Sequence, residues 1–226
     1  CIRDSAKTLG CLTPGQELLK QLMLQPLGTT PLRVCSGGNS SRCAADGCWT
    51  VDLQRHQEVR CLEDSGEVEF GTGLSMAKLL QVLRASDRSI PIGLSGLTGS
   101  GFILTGGMGP LSRSQGLALD SITAIEGIWG SGESFALSTP STSDDVRRWR
   151  ALMGAAPFLA VVTHLRLRTQ RRQSLRMRHA LITPSQLPEL LQIAESWPET
   201  CSLQWSWGDR LEIYAVDCSS EEPTPQ

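Results

Sequence analysis

The stretch Gly93-Leu-Ser-Gly-Leu-Thr-Gly-Ser-Gly-Phe-Ile-Leu-Thr-Gly-Gly-Met-Gly109 holds seven glycines in seventeen residues. Glycine inside a helix or a central strand costs backbone entropy and packs nothing, so this density predicts loop and turn. About sixty residues upstream, Pro31 to Cys35 reads as a short strand that runs into a second loop of small residues: Ser36, Gly37, Gly38, Asn39, Ser40 and Ser41. Backbone N–H groups can approach a pyrophosphate where no Cβ intervenes, and a strand entering such a loop is a phosphate-site geometry. Either loop alone is also explained by tight turns. The pair points to a bound nucleotide. Neither loop follows Gly-x-Gly-x-x-Gly between strand and helix or Gly-Lys-Ser/Thr, so a Rossmann or triphosphate site is not expected.

Around these loops the chain alternates short strands and helices. Thr13-Pro14-Gly15-Gln16 reads as a helix start with the helix running to Met23. Trp49–Leu53, Glu58–Leu62 and Glu67–Gly71 read as strands, and Ser75–Ala85 as a helix with Met76, Leu79, Leu80 and Leu83 on its core face. Ile122–Trp129 and Glu133–Leu137 form a hairpin around Gly130-Ser131-Gly132, and Thr142 or Ser143 caps a helix through Val146, Trp149 and Leu152. Val161–Thr169 is a half-exposed strand. A run of arginines from Arg166 to Arg178 marks a change of texture, which places a domain boundary near Gln170. Beyond it the pattern restarts. Thr183-Pro184 opens a helix through Leu187, Leu190, Leu191 and Ile193, and a hairpin of Leu203–Trp207 and Leu211–Val216 turns at Gly208-Asp209. Trp205 and Trp207 are expected to pack against the Leu190 helix. The tail from Glu221 to Gln226 reads as disordered, and a βαββ fragment with half a core suggests a longer native protein.

A net charge of −2 gives no global reason to bind nucleic acid or an anionic membrane. No apolar run approaches the roughly 20 residues of a membrane span. The chain begins at Cys1 without a basic-plus-apolar signal segment, so upstream residues are taken as removed and a cytoplasmic location is expected. Eight cysteines lack the spacing of a zinc knuckle or redox pair. Cys35, Cys43, Cys48 and Cys61 read as buried or half-buried thiols rather than metal ligands, even with His56 nearby. No metal is expected. His56, His164 and His179 read as exposed or strand-surface side chains, and Arg113 as the partner of Asp120 across a turn.

Val34-Cys35-Ser36-Gly37-Gly38-Asn39-Ser40 resembles the Val-Arg-Ser-Gly-Gly-His-Ser loop of the vanillyl-alcohol oxidase and para-cresol methylhydroxylase family of flavoproteins. Gly101 to Ile122 resembles that family's long segment containing Gly-Pro-Leu-Ser-Arg and Gly-Leu-Ala-x-Asp, and Val161-Val162-Thr163 its closing Val-Val-Thr strand. The resemblance covers residues 12 to 169. It implies an α+β, two-subdomain PCMH-type FAD-binding fold over residues 1–169, followed by part of an α+β substrate (cap) domain over 170–226. It further implies a diphosphate held by Ser36 to Ser41 and by Thr98, Gly99, Ser100 and Gly101. The flavin ring would lie over Gly106, Gly107 and Gly109, with backbone contacts at Asp120, Ile122, Val161 and Val162.

The departures bear on cofactor attachment. Many members link flavin to the histidine that Asn39 replaces, and doubly linked members have a cysteine where Leu94 aligns, so the implied FAD is non-covalent. Cys35 replaces a frequent arginine, and Gly154-Ala155-Ala156-Pro157 stands where the family often has four glycines. The function implied is an FAD-dependent oxidoreductase, oxidase or dehydrogenase, acting on an alcohol, hydroxy acid or sugar-like small molecule with an electron acceptor that no motif specifies. No catalytic base is assignable. A degenerate flavin-fold binding module is the alternative; a reductase of the cell-wall-precursor type fits the Gly-Pro-Leu-Ser-Arg segment less well.

Overall fold

The computed structural model describes residues 10–14, 17, 31–93, 95–138 and 142–218. The helix expected from Thr13 to Met23, Leu94 and the tail from Glu221 fall outside the described residues wholly or for the most part.

Strands β1 (Gly10–Leu12), β2 (Leu32–Cys35) and β3 (Trp49–Asp52) form a parallel sheet in the order β1-β3-β2. There follow β4 (Val59–Leu62), β5 (Glu67–Gly71), α1 (Met76–Ala85), β6 (Arg88–Ser89), α2 (Gly101–Leu104) and α3 (Ser112–Gln115). After a 3-10 turn at Ala118–Ser121 come β7 (Ile122–Trp129), β8 (Ser134–Ser138), α4 (Ser143–Leu152), α5 (Ala156–Leu159) and β9 (Ala160–Arg168). These strands build a five-stranded antiparallel sheet, β4-β5-β9-β7-β8. Packed strands and helices of separate kinds make this an α+β fold.

The apolar periodicity explains the core. Met76, Leu79 and Leu83 of α1 recur at helical spacing and are buried against Val68 and Phe70 of β5, Ile125 of β7 and Leu165 of β9. Ser75 starts that helix by accepting a hydrogen bond from the Lys78 amide, as Thr142 does for α4 from Asp145. The pairing of β7 with β9 shifts register between Glu126 and Gly127. Beyond that irregularity the same two strands supply Ile128 and Val161 to a second core with Val51 and Leu53 of the parallel sheet. One pair of long strands thus serves both layers. The first loop and the segment from Thr98 to Thr105 meet at this junction.

The C-terminal unit begins after β10 (Gln170–Arg171), which still pairs with β6. It comprises β11 (Arg176–Ile182), a 3-10 turn, α6 (Leu187–Glu195), β12 (Cys201–Ser206) and β13 (Leu211–Asp217), with sheet order β11-β13-β12. Its core is small: Leu187, Leu211 and Ile213, with Ile182, Leu190 and Leu203 against them. Trp205 and Trp207 are 38% and 73% exposed, contrary to the expected packing against α6, because the helix already covers its sheet face through Leu187 and Leu190. No helix among the described residues is long and apolar enough to cross a membrane.

A further correction concerns the glycine-rich stretch. It is not wholly loop: Gly101–Leu104 makes a helical turn, because Ile103 and Leu104 bury their side chains and the Thr105 hydroxyl donates to the Gly101 carbonyl at 2.8 Å. The gain from burying two apolar side chains, about 1.5–3 kcal/mol each, exceeds the cost of one helical glycine, about 1 kcal/mol.

Candidate functional site

The two loops expected to cradle a phosphate are in contact with each other. The Ser36 hydroxyl donates to the Thr72 carbonyl at 2.5 Å and accepts from the Ser100 amide at 3.1 Å, and the Ser100 hydroxyl donates to the same carbonyl. Thr72, at the end of β5, donates its own hydroxyl to the Val162 carbonyl of β9 at 2.6 Å. Asn39 completes the stitch by donating its amide to the Leu97 carbonyl at 2.5 Å. Gly37 and Gly99 make this approach possible: a Cβ on either would overlap the other's backbone. Gly38 turns the loop with φ of 71°.

Between these loops and β9 lies a cavity of about 340 Å³. Ser36, Gly37, Gly38, Asn39 and Ser40 line it on one side, and Thr98, Gly99, Ser100 and Gly101 on the other, with Val162 between. A Cβ on Gly101 would meet no protein atom within 4 Å. The other expected residues do not line this cavity. Ser41 is exposed beside it, and Gly107 packs on Ala118 and Phe102. Gly106 is half-buried, and Gly109 stands against the Ile92 carbonyl. Asp120 caps the 3-10 turn by accepting from the Leu117 amide at 2.9 Å, while Ile122 and Val161 are buried in the two cores.

The wall also carries residues to which no sequence motif gives a binding role, among them Arg33, Arg42, Thr72 and Phe158. Arg33 is the most telling, because its Nε is buried with no hydrogen-bond partner among the described residues. Buried donors are rarely left unsatisfied in native folds, so this one asks for an acceptor. Arg42 lies at the rim with its guanidinium carbon 4.9 Å from the centre of the Phe158 ring. The arginine missing at position 35 is thus offset by two others, while Cys35 is buried with Cys43 and Ala44. Period-two alternation puts Arg33 on a face with Cys35, but does not tell that the strand runs beside a cavity. Position 157, in place of a glycine run, brings Pro157 and Phe158 onto the wall. The described part of the wall holds no His, Asp or Glu. Donors and positive charge suit an anionic group such as a diphosphate.

Two sequence readings are corrected here. Arg113 does not pair with Asp120; it donates to the backbone carbonyls of Cys201 at 2.8 Å and Trp197 at 3.1 Å, because Asp120 is engaged in its own turn. His56 is not a surface side chain: it is 4% exposed, and burial holds its pKa below the ordinary value. His164 is half-buried and His179 is exposed, stacked on Tyr214.

With this geometry, the fold is that of PCMH-type FAD-linked oxidases. A chitooligosaccharide oxidase superposes with a TM-score of 0.81 over 95% of this chain and 48% of its own, at 16% identity. A xylooligosaccharide oxidase from Myceliophthora thermophila C1 does so with a TM-score of 0.82 over 96% and 50%, at 20% identity. Residues 28–138 match the family model of an FAD binding domain. Among relatives, an FAD-linked oxidoreductase of Penicillium janthinellum is 28% identical over 98% of this chain and 47% of its own length. Another, of Hypoxylon pulicicidum, is 33% identical over 61% and 31%. The chain therefore spans about half the length, or less, of these relatives.

Proposed function

We propose that this chain is the FAD-binding part of an FAD-dependent oxidoreductase, an oxidase or dehydrogenase that oxidises an alcohol, hydroxy acid or sugar-like small molecule with dissociable FAD. The observation that carries this reading is the cavity walled by both glycine loops, with Arg33 and Arg42 among its lining residues. In this reading, residues 1–169 hold the cofactor and 170–226 begin the substrate-covering domain.

When bound, FAD supplies a two-electron acceptor for hydride from a substrate carbon. The residues of this chain bind and orient it. Arg33 and Arg42 would neutralise the diphosphate, and N–H groups of Gly37 to Ser40, of Gly99 and of Gly101 would donate to it. Gly101 leaves room for a ligand at its backbone. Leu32 and Leu53 add apolar surface to the cavity wall. Dissociable FAD is supported by Asn39, which has no nucleophilic ring nitrogen and spends its amide on Leu97. The names of the relatives support the reaction class, and the oligosaccharide oxidases among the structural neighbours support a sugar-like substrate.

An absorbance spectrum of the purified protein, with FAD added if it is colourless and repeated after acid precipitation, tests this. Flavin bands released to the supernatant are expected. Bands retained in the pellet would overturn the dissociable cofactor. Failure to bind added FAD would overturn the enzyme reading and favour the binding-module alternative, for which Pro157 and Phe158 on the wall are the supporting observation. Arg33→Ala removes a charge-assisted hydrogen bond of about 1.5–3 kcal/mol, so the Kd for FAD should rise roughly tenfold or more.

A further inference from the structure

Behind the cavity wall lies a cluster that flavin binding does not use. His56 follows β3, its amide donating to the Leu53 carbonyl and its own carbonyl accepting from the Gly73 amide, both at 2.8 Å. Its ring is buried, and Nε2 has no hydrogen-bond partner among the described residues. The ring's other polar contact is a hydrogen bond with the Pro14 backbone, which leaves Nε2 as the lone-pair atom. From β9, His164 brings its Nε2 2.5 Å from Glu58 Oε1, while its Nδ1 lies 3.1 Å from the Thr163 hydroxyl. One ligating atom from each of His56, Glu58 and His164 lies within 4.8 Å of the other two. The site opens to solvent through Glu58, whose side chain is 55% exposed against 18% for His164.

An ordinary His164–Glu58 ion pair accounts for two of these groups and leaves the His56 lone pair unexplained. We propose that His56, Glu58 and His164 bind a divalent transition metal ion of the zinc class. Two imidazoles and one carboxylate suit such an ion and not calcium or magnesium, which take oxygen ligands. The Pro14 backbone and the Thr163 hydroxyl hold the second nitrogens, as outer partners of metal-bound imidazoles do. Bonds of about 2.0–2.2 Å set tetrahedral ligands about 3.3 Å apart, so the exposed Glu58 carboxylate withdraws from His164 as the ion enters. Gly71 keeps this possible: a Cβ there would overlap the His56 carbonyl and press on the Glu58 carboxylate. The ion braces the cavity from behind, since Leu53 and Val162 on its wall lie three residues from His56 and two from His164. The sequence hides this site because its ligands come from segments about a hundred residues apart, with no metal-ligand spacing between them.

Calorimetric titration of the purified, flavin-free chain with Zn²⁺ tests the proposal, alongside His56→Gln, Glu58→Gln and His164→Gln. One Zn²⁺ per chain is expected, with affinity falling at least tenfold in each variant, and Co²⁺ should give weak visible bands without a thiolate charge-transfer band. Glu58 is exposed, so Glu58→Gln keeps the test open if a histidine variant does not fold; circular dichroism checks that it retains the native spectrum. No binding by the unaltered chain, equal binding by folded Glu58→Gln, or a thiolate band would each overturn the site. None of these outcomes depends on whether FAD binds.

Discussion

Gly99 and Gly101 stand two positions apart and answer to different neighbours. Gly99 faces the Ser36 hydroxyl and the Gly37 backbone, so an added methyl group must push the two loops apart. Gly99→Ala should cost about 1–3 kcal/mol, and at about 2–4 °C per kcal/mol for a chain of this size the fall in Tm is readily measured by calorimetry. Gly101→Ala meets open space at the cavity, and should leave Tm unchanged or slightly raised while weakening FAD binding, read by flavin fluorescence titration. The sequence marked both glycines as loop residues near a phosphate. It could not divide them, because the residue that decides the case for Gly99 lies more than sixty positions away in the chain. The same holds for Arg33, whose significance is a missing hydrogen-bond acceptor rather than a motif.

Elements were legible wherever local physics governs them. The strand Glu67–Gly71 and the cap at Thr142 follow from alternation and from capping chemistry, both of which act within a few residues. Thr142→Ala should therefore destabilise by about 1 kcal/mol, visible as a lowered denaturant midpoint with unchanged slope. The short α2 was not legible, since its glycine-rich surroundings argue against any helix and only the burial of Ile103 and Leu104 decides for one. Ile103→Ala should accordingly cost about 2–5 kcal/mol, more than loop residues do, measured by the same denaturant titration. Trp205 and Trp207 failed for a related reason: alternation gives a face, but not which face the helix covers.

At the scale of the molecule, the C-terminal unit is tied to the earlier part of the chain by contacts between distant segments, of which the Arg113 link to Trp197 and Cys201 spans 84 and 88 residues. Its partners are backbone carbonyls, which carry no sequence signature, so reading Arg113 as a local ion pair was the natural error. Arg113→Ala removes two exposed hydrogen bonds worth about 1 kcal/mol together. Faster amide exchange is expected in β12 and β13, with α1 unchanged. The contact of Arg42 with Phe158 at the rim of the cavity carries a consequence for timing. Both side chains line the cavity, and a cofactor that passes between them is delayed in both directions without a change in the final balance. Cofactor loading by the empty protein is then slow for its affinity, and Phe158→Ala hastens uptake and release together, so a freshly made chain spends its first moments at the mercy of a doorway rather than of a binding constant.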